Sequence, residues 1–203
     1  MQNLKQLRQQ IRKQRKALSR QQQRKNSLAA CRHFIRNLNL LRAKKVALYL
    51  AADGELDPLP LINKLRRLKK RVYLPVLRPN NVNALWFSEY RLNDSLRPNR
   101  FGILEPNIKK RKPIVTWGLD LIIMPLVAFN NAGTRVGMGG GYYDRTLGYQ
   151  HSRTHWIKPK LIGYAHECQY IEELPSRAWD IPLHAVITEH RFQSFITNQP
   201  TTK

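Results

Sequence analysis

The sequence predicts an α/β fold, a three-layer α/β/α sandwich with a largely parallel central sheet. Short segments rich in Val, Ile and Leu alternate along the chain with segments whose apolar residues recur at helical spacing. The strand segments are apolar on both faces, as is typical of parallel sheets covered by helices on both sides. We expect one domain over residues 1–197 and a flexible polar tail at 198–203.

The helices are predicted from apolar spacing and from capping residues. Apolar side chains recur at helical spacing and predict a first helix over residues 3–18. Ser19, three residues before Gln22, resembles a capping box and predicts the start of a second helix. Asp is favoured at a helix N-cap and Pro in the first turn, so Asp57 and Pro58 predict the start of a third helix.

The remaining elements follow from β-rich runs and turn residues. Residues 142–150 are expected to be helical, and residues 98–113 to be irregular and rich in turns. Six β-rich segments predict strands at residues 46–50, 72–76, 84–90, 120–129, 160–165 and 185–188.

The chain is strongly basic. It has 36 Lys or Arg residues against 13 Asp or Glu, a net charge of +23, and no acidic residue within positions 1–52. Such a field attracts polyanions, and composition does not distinguish nucleic acid from a nucleotide or a small polyanionic substrate. A nucleic-acid-binding protein with an α/β core therefore stays an alternative, although no RNP, KH, zinc-knuckle or helix-turn-helix motif is present.

The location of the protein is predicted from features that the sequence lacks. The first 20 residues carry seven Lys or Arg and no apolar core of a secretory signal. The longest apolar run has nine residues, far below the roughly 20 that cross a bilayer. Cys31 and Cys168 form no CxxC pair. We expect a cytoplasmic protein without a membrane partner.

A glycine-rich segment carries the strongest functional signal. Four of the ten glycines lie within residues 137–141, between a buried strand and a predicted helix. Exposed amide N–H groups and a helix N-terminus can bind an anion there. Arg135 and Arg145 flank the segment and can bind phosphate, and Asp144 is an oxygen ligand suited to Mg²⁺. The pattern is neither a Walker loop nor a dinucleotide fingerprint, and it predicts phosphoryl transfer. The alternative is a flexible connection whose tyrosines pack in the core.

Five ordered segments together resemble a known family. They are LKQLRQQIRKQR, ALYLAADGELDPLPLI, FGILEP, MPLVAFNNAGTRVGMGGGYYDR and IGYAHECQYIEELPSRAWDIPLHAVITE. These segments are similar to those of 5-formyltetrahydrofolate cyclo-ligases, also called 5,10-methenyltetrahydrofolate synthetases. The resemblance implies an ATP- and Mg²⁺-dependent ligase that converts 5-formyltetrahydrofolate to 5,10-methenyltetrahydrofolate, ADP and phosphate. It implies phosphorylation of the formyl oxygen before the ring closes.

The resemblance also assigns roles to individual residues. It implies catalytic roles for Arg135, Tyr142 and Asp144, and Mg²⁺ ligation by Asp144 and Asp180. The expected ATP contacts are Lys5, Arg8, Arg135, Val136, Gly137, Met138, Gly139, Gly140, Gly141, Tyr142 and Tyr143. The expected folate contacts are Leu50, Glu55, Met138, Gly139, Gly140, Gly141 and Tyr142.

Some assignments keep alternatives. Trp86 and Phe87 are candidates for stacking on the folate rings, but core packing explains an aromatic pair in a strand equally well. Without the resemblance, Glu55 would be interpreted as part of an acidic cluster at a helix start. A sugar-phosphate or CoA-handling α/β enzyme is a further alternative. The expected partners are ATP and 5-formyltetrahydrofolate, including polyglutamylated forms, and the expected state is a monomer.

Overall fold

The computed structural model describes residues 3–79, 83–108, 111–152 and 158–195. The predicted tail at 198–203 lies outside these residues. The helices are α1 (Leu4–Ala17), α2 (Arg20–Arg36), α3 (Leu38–Leu41), α4 (Leu59–Arg67) and α5 (Tyr142–Leu147). Three 3₁₀ helices cover Thr116–Gly118, Gly148–Ser152 and Glu167–Gln169.

A seven-stranded sheet forms the centre of the described chain. Its strand order is β11-β10-β9-β6-β1-β2-β3. Neighbours from β10 to β2 run parallel, whereas the edge strands β11 and β3 are antiparallel to their neighbours. Two small hairpins, β4-β5 and β7-β8, lie outside it. The strands are β1 (Lys45–Ala47), β2 (Arg71–Leu77), β3 (Leu85–Glu89), β4 (Leu96–Pro98), β5 (Leu104–Pro106), β6 (Leu121–Met124), β7 (Ala128–Phe129), β8 (Arg135–Val136), β9 (Lys160–Tyr164), β10 (Ala185–Ile187) and β11 (Phe192–Ser194).

The central strands bury side chains on both faces. In β6, Leu121 and Ile123 belong to an apolar cluster shared with α2, α3 and α4, whereas Ile122 and Met124 belong to a second cluster on the other face. The second cluster is covered by α5, through Leu147, and by non-helical segments. The predicted α/β fold with a largely parallel sheet is confirmed, with a helical layer that is thinner on one face.

Side-chain hydrogen bonds are present at the starts of α2 and α4. Ser19 Oγ accepts a hydrogen bond from the Gln22 amide at 3.1 Å, so the predicted start of α2 is confirmed. Asp57 Oδ1 accepts from the Leu59 amide at 2.9 Å at the start of α4. No helix in the described part of the chain combines the length and apolarity that crossing a membrane requires.

The predicted strand 120–129 was wrong in its extent. The structure divides it into β6 and β7, because Pro125 has no N–H group to continue the ladder. The carbonyl oxygens at the break accept hydrogen bonds from distant side chains instead: Leu126 from Arg15 and Gln169, and Val127 from Gln169. The segment predicted as irregular, 98–113, contains β5, which pairs with β4. The predicted helix 142–150 is α5 followed by a 3₁₀ helix.

Candidate active site

The candidate site lies where the order of the parallel strands reverses. β1 pairs with β2 on one side and with β6 on the other, so later strands are added to the sheet on both sides of β1. In open α/β sheets, ligands bind beyond the carboxyl ends of the strands at such a switch point. A cavity of about 1150 Å³ occupies this position, and Leu50 after β1 and Pro125 after β6 both line it. The fold therefore places a ligand-sized cavity where its topology predicts one.

The glycine-rich segment forms one wall of this cavity. Gly139 and Gly141 have φ values of +102° and +65°, a backbone conformation that residues with a Cβ rarely adopt. A Cβ at Gly141 would lie 2.9 Å from Arg145 Nη1. The local conformation thus depends on glycine at these two positions.

Two arginines bind carbonyl oxygens of the same segment. Arg8 Nε, from α1, donates to Gly137 O at 2.8 Å, and Arg145 Nη1 donates to Gly140 O at 2.5 Å. Both residues line the cavity. The glycine-rich wall is therefore held on both sides by guanidinium groups, which makes it electropositive.

Arg135 and Asp144 form an ion pair at the cavity wall. Arg135 Nη2 donates to Asp144 Oδ1 at 2.5 Å, and the Arg135 side chain is only 5% exposed. Arg135 Nε is buried without a hydrogen-bond partner among the described residues. A buried unpaired donor is costly, so this nitrogen can still bind a ligand or a water.

Glu55 is a largely buried carboxyl group on the same cavity. Its side chain is 13% exposed, and Oε1 lies 3.9 Å from Arg15 Nη2. Oε2 accepts a hydrogen bond from the Ala52 amide at 3.1 Å. Burial raises the pKa of Glu55 despite these two favourable partners. Because α4 begins at Leu59 and Asp57 binds its first turn, Glu55 is not the helix-start carboxylate.

Two adjacent tyrosines have different environments. Tyr142 Oη accepts a hydrogen bond from Arg100 at 2.8 Å, and its ring packs edge-on against Phe101 with centroids 6.0 Å apart. Burial, and secondly the negative charge of Glu55, raise the pKa of Tyr143. Tyr143 therefore stays a neutral phenol next to Glu55 at ordinary pH.

The structure brings most of the predicted site residues to one cavity. The residues that line it are Arg8, Leu50, Glu55, Arg135, Val136, Gly137, Met138, Gly139, Gly140, Gly141, Tyr142, Tyr143, Asp144 and Asp180. Lys5 is exposed and does not line the cavity. Trp86 does not line it either, and Phe87 is fully buried in the second apolar cluster. The core-packing alternative therefore holds for Phe87.

A cluster of charges at the C-terminal end of α1 was not predicted. The Asp53 carboxylate contacts Arg12 at 2.6 Å, Arg15 at 3.0 Å and Lys16 at 2.5 Å, and these hydrogen bonds lower its pKa. Arg15 is completely buried, and its Nε also donates to Asp53 O at 2.9 Å. Arg8, Arg12 and Arg15 recur at helical spacing, and this pattern was the signal that they share one face of α1.

The described residues contain no group of three or more His, Cys, Asp or Glu side chains that could hold a metal. Asp144 and Asp180 both line the cavity, and Asp180 Oδ2 accepts from the Arg177 amide at 2.9 Å. Mg²⁺ is commonly bound by one or two carboxylates together with substrate phosphates. Each of these carboxylates is the type of ligand that would bind a magnesium ion arriving with a nucleotide.

A model of the 5-formyltetrahydrofolate cyclo-ligase family matches residues 1–189. This chain belongs to that family. The 5-formyltetrahydrofolate cyclo-ligase of Escherichia coli (strain K12) is 45% identical over 179 residues, which cover 88% of this chain and 96% of the relative. That of Haemophilus influenzae is 38% identical over 184 residues, covering 90% and 95%.

Two solved structures have the same fold as this chain. The NMR structure of Aquifex aeolicus 5,10-methenyltetrahydrofolate synthetase has a TM-score of 0.80 and 29% identity, covering 98% of this chain and 96% of that one. A 5,10-methenyltetrahydrofolate synthetase from Mycoplasma pneumoniae has a TM-score of 0.72 at 22% identity, covering 93% and 99%, and shows the fold alone. Membership of the cyclo-ligase family, inferred above from five sequence segments, is confirmed.

Proposed function

We propose that the cavity beside the glycine-rich wall is where this 5-formyltetrahydrofolate cyclo-ligase uses ATP to convert 5-formyltetrahydrofolate to 5,10-methenyltetrahydrofolate, ADP and phosphate. One observation carries the proposal. The electropositive glycine-rich wall and the buried Glu55 line the same cavity, which is large enough for a nucleotide and a folate. An anion site and a hydrogen-bonding carboxyl thus face one space.

The terminal phosphates of ATP bind along residues 135–143. The glycines allow the phosphates to approach the backbone closely, and Arg8 and Arg135 supply positive charge. Charge that spreads over the equatorial phosphate oxygens during transfer is stabilised by such fixed donors, which need no reorganisation during the reaction. Lys5 remains a predicted ATP contact, although its position on the exposed side of α1 offers no support.

The folate occupies the part of the cavity next to β1 and β2. Glu55 accepts or donates hydrogen bonds to the N–H and carbonyl groups of the pterin, and Leu50 supplies apolar contact. Leu74 and Leu77 of β2 extend this apolar surface under the rings. Tyr142 lies between the two halves of the site, near the formyl group.

The chemistry has two steps. The formyl oxygen attacks the γ-phosphorus, the bond to ADP breaks, and an imino-phosphate forms on N5. The neighbouring N10 then attacks the formyl carbon and loses its proton, and the phosphorylated oxygen leaves as inorganic phosphate. An amide oxygen is a poor leaving group until it is phosphorylated, which explains the need for ATP.

Mg²⁺ would be held by Asp144 and Asp180 together with ATP. When bound, it neutralises negative charge on the phosphates. The protein's own part is to present the Arg135 guanidinium and the two carboxylates to the cavity in which the phosphates bind. Both carboxylates need to be ionised for this role.

The experiment is a direct assay. Purified protein, MgATP and 5-formyltetrahydrofolate should give the near-ultraviolet absorbance of the methenyl product together with one ADP per product. Addition of EDTA in excess should stop the reaction, and excess Mg²⁺ should restore it. Absence of turnover by folded protein would contradict the proposal, and turnover that is insensitive to EDTA would remove its magnesium part.

A further inference from the structure

The outward-facing side of α2 is basic and lies outside the catalytic cavity. At 100° per residue, Lys25, Arg32 and Arg36 fall within about 40° of one another around the helix, over about 16 Å of its length. All three side chains are exposed, and none lines the cavity. We call these three residues the basic face of α2.

Two further cations lie beside this face. Arg24 is also exposed, one position before Lys25. Lys64 of α4 lies close enough to Cys31 that its charge, like that of Arg32, opposes the effect of burial on the thiol pKa. Lys64 and Arg32 thus both lie near Cys31, beside the basic face.

The acidic residues that contact α2 do so away from the basic face. Asp57 donates its amide to Ser27 Oγ at 3.2 Å, and Glu189 accepts from Asn26 Nδ2 at 3.2 Å. Both residues are buried: Ser27 lies opposite the basic face, and Asn26 lies about 100° from it around the helix. Within the described ranges, no carboxylate forms an ion pair with a residue of the basic face.

This charge pattern disfavours the helix that carries it. Arg32 and Arg36 are four residues apart, and like charges at this spacing destabilise a helix by about 0.2–0.5 kcal/mol. Arg20 occupies the first position of α2, and the first turn has no acid to complement the helix dipole. Soluble surfaces normally intersperse both signs of charge. Helix stability therefore does not account for the arrangement.

We propose that the basic face of α2 binds the phosphate backbone of double-helical nucleic acid, in a role separate from the catalytic cavity. Guanidinium groups match phosphate geometry, and backbone contacts need no base-specific side chain. The face has no aromatic residue on which single-stranded bases could stack. Leu28 is the only large apolar side chain of the described α2 that is exposed, and one such side chain is too little for insertion into a membrane surface.

The test compares two triple variants with the same loss of charge. Lys25→Gln/Arg32→Gln/Arg36→Gln removes the basic face, and Arg97→Gln/Lys112→Gln/Lys160→Gln removes three exposed cations elsewhere. Binding to a fluorescent RNA duplex, a DNA duplex and phosphatidylserine vesicles is measured over a salt series. Cyclo-ligase activity of both variants reports that the fold and cavity are intact.

The proposal predicts the affinity for nucleic-acid duplexes and its dependence on salt. Wild-type protein binds both duplexes with a salt-dependent affinity. The α2 variant binds at least about tenfold more weakly at physiological salt, and its slope of log K against log salt is shallower by about 2 to 3, since each duplex phosphate contact contributes about 0.9. The matched control keeps most of the affinity. Equal weakening in both variants, absence of duplex binding, or binding to vesicles alone overturns the proposal.

Discussion

At the scale of single residues, Asp144 has two cationic partners in this account. In the structure it accepts a hydrogen bond from Arg135 at 2.5 Å, and in the proposed complex it also binds Mg²⁺. Asp144→Asn keeps the size of the side chain but removes its charge. We expect kcat to fall by about a hundredfold or more, as when one transition-state electrostatic contact is removed.

The measurement is initial rate at saturating ATP, with the thermal unfolding midpoint as a check on the fold. Asp94→Asn is the matched control, because Asp94 pairs with Arg111 and does not line the cavity. It should keep its activity. Near-normal rates in Asp144→Asn would show that the magnesium assignment is wrong.

Arg15 is a second residue whose role can be measured. It is completely buried and donates hydrogen bonds to Asp53 and to Leu126 O, and it lies 3.9 Å from the Glu55 carboxylate. It therefore joins α1 to the segments after β1 and β6. Arg15→Met removes these hydrogen bonds and leaves Asp53 with only the more exposed Arg12 and Lys16 as cationic partners. It should lower the free energy of unfolding by about 3 kcal/mol, typical of a broken buried ion pair.

Urea denaturation of both Arg15→Met and Arg12→Met distinguishes burial from simple charge. Arg12 contacts the same Asp53 carboxylate but its side chain is 40% exposed. The Arg12 variant should lose at most about 1 kcal/mol. Losses of similar size in the two variants would refute a special role for the buried guanidinium.

At the scale of elements, the glycine-rich wall depends on backbone conformation. Gly139→Ala forces a Cβ onto a residue with φ near +102°. We expect the KM for ATP to rise at least about tenfold, because strain of about 1–3 kcal/mol shifts the amides that receive phosphate. The thermal unfolding midpoint of the variant checks that the fold is retained. Unchanged ATP kinetics in Gly139→Ala would mean that this conformation is not used.

Element boundaries show what the sequence could and could not predict. The spacing of apolar residues and Ser19 located α1 and α2 closely, because those signals are local. The break after β6 could not be located in the same way, since Arg15 and Gln169 stabilise it from positions 111 and 43 residues away. The three-residue strands β4 and β5 were also missed, because so short a pairing leaves almost no periodic pattern.

The site was predictable to the extent that its residues are contiguous in sequence. Residues 135–144 contain glycines, an arginine and a carboxylate in one segment. Glu55 and Asp180 were assigned from the family resemblance, and only the fold shows that they line the same cavity. The charge cluster around Asp53 was missed, because a buried arginine cannot be distinguished from a solvated one by spacing alone.

At the scale of the whole molecule, buried histidines couple folding to pH. His166 is fully buried, accepts from Asn26 Nδ2 at 3.0 Å, and burial and the nearby Arg15 lower its pKa from 6.5 to about 4. The unfolded chain therefore binds more protons than the folded one between these values. Stability is fully present above pH 6.5 and decreases as the pH falls toward 4, by up to about 3 kcal/mol from this group.

His166→Gln should remove this part of the pH dependence. Burial also lowers the pKa of His184 and raises that of Glu55, so the informative quantity is the difference between wild type and variant. We expect the stability difference, measured by urea denaturation, to be smaller at pH 4.5 than at pH 7. A difference that is constant over this range would show that His166 does not titrate as the structure indicates.

In the proposed reaction, ATP phosphorylates the formyl oxygen in the cavity beside the glycine-rich wall. The most direct measurement uses 5-formyltetrahydrofolate labelled with ¹⁸O in the formyl group, turned over with MgATP, followed by mass spectrometry of the inorganic phosphate. We expect one ¹⁸O atom in each phosphate released. Label in water, with none in phosphate, would contradict it.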